Sequence, residues 1–513
     1  MHSLGRLILQ IQGIKNNNLT FRGPLDGTIT NILRACDTNE MVNAVGLDVG
    51  AMVIPRSYYD TKARNQFAGA ETFFREISGT FINCISAGLL AQIISHVASK
   101  CVMKDVNTNP ASWYSKDSLS ILHEAWEKGG KTTDGYLNTV LENLSGRDGH
   151  KINNFKDINW QAVEWNDEKV WDRINWKNAK YKGIQDKLKT KEDFINTLKE
   201  VIEDKNIAKD DKKNVLSIMD KRLTNALQAG RSVTVKVGDN KLETSLWNVL
   251  RDTQDMGRDI FTNPKINIEA AFKKIHKVNK IKGIGAITGA CLLGLTNQYI
   301  NRKITEKRTG KKGFVGDVDF TSESHENKKD KNLIYKKLGA SALMIGMVAS
   351  VMRVKNFKEF AKKLEFTGPI TSGNAIKTVY AATITGRFMA ADNGTELRES
   401  MTRDILGFLN WLVFGGFAAK GVANLLDKGG NNLFNYSKEG KGLKHWLNDM
   451  FLKTHNEVAS KGKEFTKKNL WKLNVANAAG IAYSAITLGI LLPMLNAKVT
   501  KHKAKKQQEN KLN

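Results

Sequence analysis

The chain has 513 residues, with 79 Lys and Arg against 52 Asp and Glu. A formal charge of +27 favours anionic partners, either the anionic face of a membrane or nucleic acid, over acidic ones. Cysteines at 36, 84, 101 and 291 show neither a CxxC pair nor even spacing, so neither a disulfide framework nor a thiolate zinc site is indicated.

Residues 1–76 form a mixed N-terminal region. Met1–Lys15 has a weak apolar patch broken by Arg6 and two glutamines, with no small-residue cleavage site, and is not read as a signal peptide. Leu19–Gly23 suits a short strand, and residues 28–53 suit short helices. Asp48 lies in an apolar stretch near Arg56. That pairing is either a buried acid of functional interest or a helix-end carboxylate.

Ile77–Ser99 carries no Asp, Glu, Lys or Arg, and its length suits a membrane helix over 77–99. Asn83, Ser86, Gln92 and His96 give it a polar face, which a span turns into its bundle. A half-buried helix of a soluble domain is the alternative.

Residues 100–275 are polar and mixed in charge, and read as an inserted soluble helical domain. Thr190 and Asp193 make a capping box ahead of Phe194, Ile195, Leu198, Val201 and Ile202, which share one helical face. Leu216, Met219, Leu223 and Leu227 repeat the pattern. Residues 232–237 followed by Gly238-Asp239-Asn240 predict a small hairpin.

Residues 276–355 read as a basic-flanked helical hairpin, with apolar runs at 283–301 and 338–352. Gly285 and Gly289 in the first run, and Ala342, Gly346 and Ser350 in the second, place small residues one turn apart. Such spacing lets helices approach closely in lipid. The mixed region 356–472 holds two weaker apolar helices at 376–391 and 405–419. Leu473–Ala497 is a further charge-free span, and 498–513 is a basic tail expected to be disordered.

The cations crowd the ends of these runs. Arg302, Lys303, Lys307, Arg308, Lys311, Lys312, Lys336 and Lys337 bracket the hairpin loop, and Lys498, Lys501, Lys503, Lys505 and Lys506 follow the last run. All are candidate contacts to anionic lipid headgroups. The excess of Lys and Arg marks the cytoplasmic side, which places the 302–337 loop and the tail inside. A cysteine introduced into the tail is then expected to resist an impermeant reagent on intact cells.

Catalytic motifs fail on inspection. Gly129-Gly130-Lys131-Thr132 matches the end of a phosphate-binding loop, but Ala125 stands where the first glycine belongs. His123-Glu124 is followed by Glu127 where a zinc protease needs a second histidine. The Gly310–Gly316 stretch reads as a turn. Trp160, Trp165, Trp171 and Trp176 suit either a ligand platform or ordinary packing. No cofactor or metal is indicated.

The resulting expectation is an all-α, polytopic membrane protein with about four spans, or six, plus the inserted domain. Its role would be that of a scaffold or of a component of a transport assembly. Anionic membrane lipids would be its partners, together with a second copy or another membrane protein. The alternatives are a membrane-inserting or pore-forming protein acting on anionic bilayers, and a soluble basic helical protein binding nucleic acid. The lack of any acid/base constellation leans against an enzyme.

Overall fold

A computed structural model describes residues 28–512 except 39, 104–113, 149–150, 166–170, 231, 317–319, 321–330, 367–370, 411–413, 429–431, 437–439 and 441, with side chains of the last helix described as far as His502. The N-terminal patch, the 19–23 strand and the side chains of Lys503, Lys505 and Lys506 therefore lie outside the described residues. The fold is predominantly helical. Strands among the described residues make only one four-stranded and one two-stranded sheet.

Among the described residues four helices are long and apolar enough to cross a membrane: Gln66–Val102, Ile268–Thr309, Leu333–Val351 and Lys463–His502. They carry the four apolar runs at 77–99, 283–301, 338–352 and 473–497. The weaker runs at 376–391 and 405–419 fall on other helices, Gly373–Ala390, Gly394–Leu409 and Gly415–Leu426, which are not among those four. The basic tail is helical, continuing as Leu492–Leu512 rather than disordered. It extends a helix that is already nucleated, and its Ala, Lys, Gln and Glu are good helix formers.

The chain clusters into two compact units, each discontinuous in sequence. The first comprises residues 1–39, 95–280 and 420–477, and so spans the whole of the 100–275 stretch together with segments from both sides of it. Its large core collects the predicted helical faces. Phe194, Ile195, Leu198, Val201 and Ile202 are all buried on Lys191–Glu203, and Thr190 and Asp193 form the capping box. Strands β1 (Leu144–Asp148), β2 (Lys151–Asn154), β3 (Val233–Val237) and β4 (Asn240–Thr244) make an antiparallel sheet in the order β2-β1-β3-β4. Gly238, at φ +57°, begins the β3–β4 turn that the sequence marked. The four tryptophans pack on this core. Arg222 lies over the Trp165 ring at 4.7 Å, which matches the packing reading.

The second unit comprises residues 40–94, 281–419 and 478–513. Large apolar side chains of its long apolar helices face outward, among them Ile93, Ile284, Leu292, Leu338, Ile345, Ile486 and Ile490. Ile284 is 61% exposed and Ile345 54%. Gly294 and Gly386 set a close helix crossing: a Cβ on Gly386 would stand 2.4 Å from the Leu295 carbonyl oxygen, and one on Gly294 would stand 2.5 Å from Thr383 Oγ1.

Of the wide helical turns in this unit, Asp48–Val53 and Thr487–Leu491 each lie just before a proline, Pro55 and Pro493, whereas Ile82–Ser86 does not. Proline lacks an N–H and clashes with the preceding turn, and a widened turn is one way a helix absorbs that. In a wide turn the partner of the Leu488 carbonyl would be residue 493, which has no N–H. Arg56 Nε supplies the donor instead, at 2.8 Å.

Candidate functional site

That bond fixes Arg56 inside the second unit, and the rest of its guanidinium meets Glu76. Glu76 sits on Gln66–Phe81, the N-terminal half of the first apolar helix. Four arginines converge on its carboxylate. Arg56 Nη1 is 3.4 Å from Oε1, Arg75 Nη2 is 3.3 Å from Oε1, Arg387 Nη2 is 3.4 Å from Oε2, and Arg403 Nε is 4.0 Å from Oε1. A second acid, Asp404, shares two of them, at 3.0 Å from Arg387 Nη1 and 3.2 Å from Arg403 Nε. Arg56, Arg75, Glu76, Arg387 and Asp404 are each less than 9% exposed.

Local bonds hold each arginine in place. Arg75 donates to Thr72 Oγ1 at 3.1 Å, Arg403 donates to Ser400 Oγ at 3.3 Å, and Arg387 donates to the Arg75 carbonyl at 3.4 Å. Burial alone would lower the Arg403 guanidinium, but the Asp404 and Glu76 carboxylates hold it above its ordinary value. The network continues outward through Arg64, which pairs with Glu399 at 2.7 Å and Asp60 at 3.3 Å. Asp48 belongs to it as well. It accepts a hydrogen bond from Thr80 Oγ1 at 3.1 Å and lines a small cavity with Arg56, Glu76, Tyr380, Arg387 and Asp404. That cavity measures about 30 Å³, and a second of about 30 Å³ opens beside Arg56, Arg75 and Arg403. Each is the size of a water or two.

The sequence reading placed Asp48 near Arg56 and missed the rest. Arg75 and Glu76 immediately precede the charge-free run at Ile77, and Arg387 counted against a span. The helix Gln66–Val102 extends the run at its N-terminal end and brings both charges into the bundle.

The predicted lipid-contact cations divide into two groups. Arg302 faces inward, ion-paired with Asp392 and Glu396, and Lys337 donates to the Met389 carbonyl at 2.9 Å. These two tie the ends of two apolar helices to the turn at 389–396. Lys303 and Lys312 pair with Glu306 at 3.0 and 3.6 Å. Lys307, Arg308, Lys336, Lys498 and Lys501 are exposed, and Lys311 is half-buried.

The predicted packing positions also separate. A Cβ on Gly285 would lie 2.8 Å from Ile94 Cδ1, and one on Gly289 would lie 3.0 Å from Leu90 Cδ1. Ala342, Gly346 and Ser350 lie on an exposed face of Leu333–Val351, while Ala340, Met344 and Val348 pack inward. On the first apolar helix Asn83 and Ser86 are buried, whereas Gln92 and His96 are exposed.

The remaining motifs resolve as local structure in the first unit. Gly129 and Gly130 close Lys116–Lys128 and turn the chain into Thr133–Glu142, where Thr132 is the N-cap. Gly129 packs on the backbone of Gly135, where a Cβ would come within 2.4 Å. His123 and Glu127 form an exposed pair one turn apart, at 3.7 Å. A polar cluster that sequence reasoning missed joins Asp37 to the backbone N–H of His455 at 2.7 Å. The His455 ring in turn meets Asn474 Oδ1 at 2.8 Å. Among the described residues no group of three or more His, Cys, Asp or Glu side chains is placed to hold a metal ion. No protein-family model, no curated protein and no solved structure matches this chain.

Proposed function

We propose that this chain is an integral membrane protein of structural or transport-assembly type, held in the bilayer by its four apolar helices. The observation that carries the reading is the inverted polarity of the second unit. Large apolar side chains such as Ile284, Leu343, Ile345 and Ile490 face outward, and the arginines and acids around Glu76 face inward. An aqueous protein rarely exposes so much apolar surface, whereas a lipid-embedded bundle requires it and hides its ionisable groups inside.

Cavity size then separates a brace from a substrate path. Ligand sites run to hundreds of Å³. The cavities beside the ion network hold about 30 Å³ each, so the network suits an internal brace better than a route for cargo. The exposed cations Lys307, Arg308, Lys336, Lys498 and Lys501 suit headgroups of anionic lipids on the cytoplasmic face.

The test is an alkaline carbonate wash of membranes from cells expressing the full chain. Retention in the pellet is expected. Release into the supernatant would overturn the reading and leave a peripheral or soluble basic protein.

A further inference from the structure

A groove in the second unit lies between the start of Gln66–Phe81 and the end of Ile268–Thr309, with a volume of about 340 Å³. This is an order larger than the cavities beside Glu76 and falls within the range of small-molecule sites. Phe67, Ala70, Phe74 and Ile304 give it an apolar stretch of wall, beside the polar Gln66 and Asn301. Phe74 and Ile304 are exposed, and so are Tyr299 and Ile300 on the same helix, so the groove opens onto the outward apolar face.

One end of the groove is cationic. Arg308 lines it, with its guanidinium over the Phe74 ring at 4.8 Å. Among the described residues no carboxylate pairs with Arg308, whereas Lys303 and Lys312 pair with Glu306 and Arg302 pairs with Asp392 and Glu396. The ring contact holds the cation without neutralising it. Thr305 and Thr309 line the same end. The one acid in the wall, Glu71, is 7% exposed and accepts from Gln298 Nε2 at 3.2 Å. A helix C-terminus by itself repels an anion, but Lys307 and Arg308 occupy this last turn, and Lys311 and Lys312 follow it.

An apolar trough that ends in an uncompensated guanidinium, beside the basic end of a membrane helix, has the polarity of a phospholipid. We propose that this groove binds a single anionic phospholipid, with an acyl chain against Phe67, Phe74 and Ile304 and the phosphate on Arg308. The proposal rests on the membrane reading above and adds to it a defined site in place of a diffuse basic surface.

Native mass spectrometry of the full chain in neutral detergent tests it, with phosphatidylglycerol and phosphatidylcholine as probes. The wild type is expected to retain one phosphatidylglycerol in preference to phosphatidylcholine. Arg308→Gln is expected to cut that preference about tenfold, the loss of one charge-assisted hydrogen bond. Ala70→Phe, which fills the trough and leaves Arg308 in place, is expected to abolish retention of the lipid. Lys498→Gln, an exposed cation at the end of another apolar helix, is expected to change nothing. Equal retention of the two lipids, or equal loss in Arg308→Gln and Lys498→Gln, would overturn the site. A chain that stays in the carbonate pellet but shows no lipid preference refutes the groove alone. A chain released by carbonate refutes the membrane reading itself.

Discussion

Glu76→Gln is expected to lower the thermal midpoint of the detergent-solubilised protein by about 10 °C, the largest effect of any single neutral substitution in the second unit. The amide nearly preserves the volume of the carboxylate, so packing is not the cause. What changes is charge. Four guanidiniums face Glu76, and after the substitution Asp404 is the acid left within ion-pair distance, of Arg387 and Arg403, with Asp48 lining the same cavity. Removing one partner of a buried ion pair costs about 3–5 kcal/mol, because the other charge is left buried and uncompensated. The intact network, by contrast, contributes little net stability over an apolar core of the same shape, since desolvation offsets most of the attraction. The asymmetry supplies a second arm: Arg387→Met in the Glu76→Gln background should recover part of the loss, as a coupling of opposite sign in a double-mutant cycle. A midpoint within about 3 °C of wild type for Glu76→Gln, roughly 1 kcal/mol, would mean that water reaches these arginines, and the brace reading would fail.

Those charges were hard to see in the sequence for a physical reason. A charge-free window identifies the part of a helix apolar enough to touch lipid, and its edges are set by the first ionisable residue. Arg75 and Glu76 form such an edge, yet the helix runs on past them to Gln66 and turns them inward. Composition carries no information on which way a side chain points. Arg387 likewise weakened the reading of 376–391 as a span, although it is a member of the buried network. Local signals transferred well. The Thr190–Asp193 capping box, the faces of Lys191–Glu203 and Lys209–Ala226 and the Gly238 turn all depend on residues within a few positions of one another. Asp48 was legible for the same reason, since Arg56 lies two turns away on nearly continuous helix. The small sheet was legible only in part: the β3–β4 hairpin is local, whereas β1 precedes β3 by about 90 residues and β2 joins the sheet by pairing with β1.

Small residues show the same division, and they give the second prediction. Gly386→Ala is expected to cost about 1–3 kcal/mol, as overpacking against an unyielding neighbour does. The neighbour is the Leu295 backbone, with the carbonyl oxygen at 2.4 Å and Cα at 2.7 Å from the new methyl, so no rotamer change relieves it. Ile268–Thr309 and Gly373–Ala390 must then move apart, which also strains the Gly294–Thr383 contact on the next turn. Against this stands a gain of roughly 1 kcal/mol in helix propensity on replacing glycine, so the measured loss understates the clash. Gly346→Ala isolates that gain. Among the described residues nothing lies within 4 Å of a Cβ at Gly346, and the same propensity should leave this variant as stable as wild type or slightly more so. Both are read from the detergent melting midpoint. A neutral Gly386→Ala would show that the two helices do not pack at this spacing in the solubilised protein. A destabilising Gly346→Ala has a different meaning: with no neighbour among the described residues, the added methyl would point to a collision with another molecule. The exposed stripe of Ala342, Gly346 and Ser350 would then be the seam of a homo-oligomer, and the loss should disappear on dilution to the monomer.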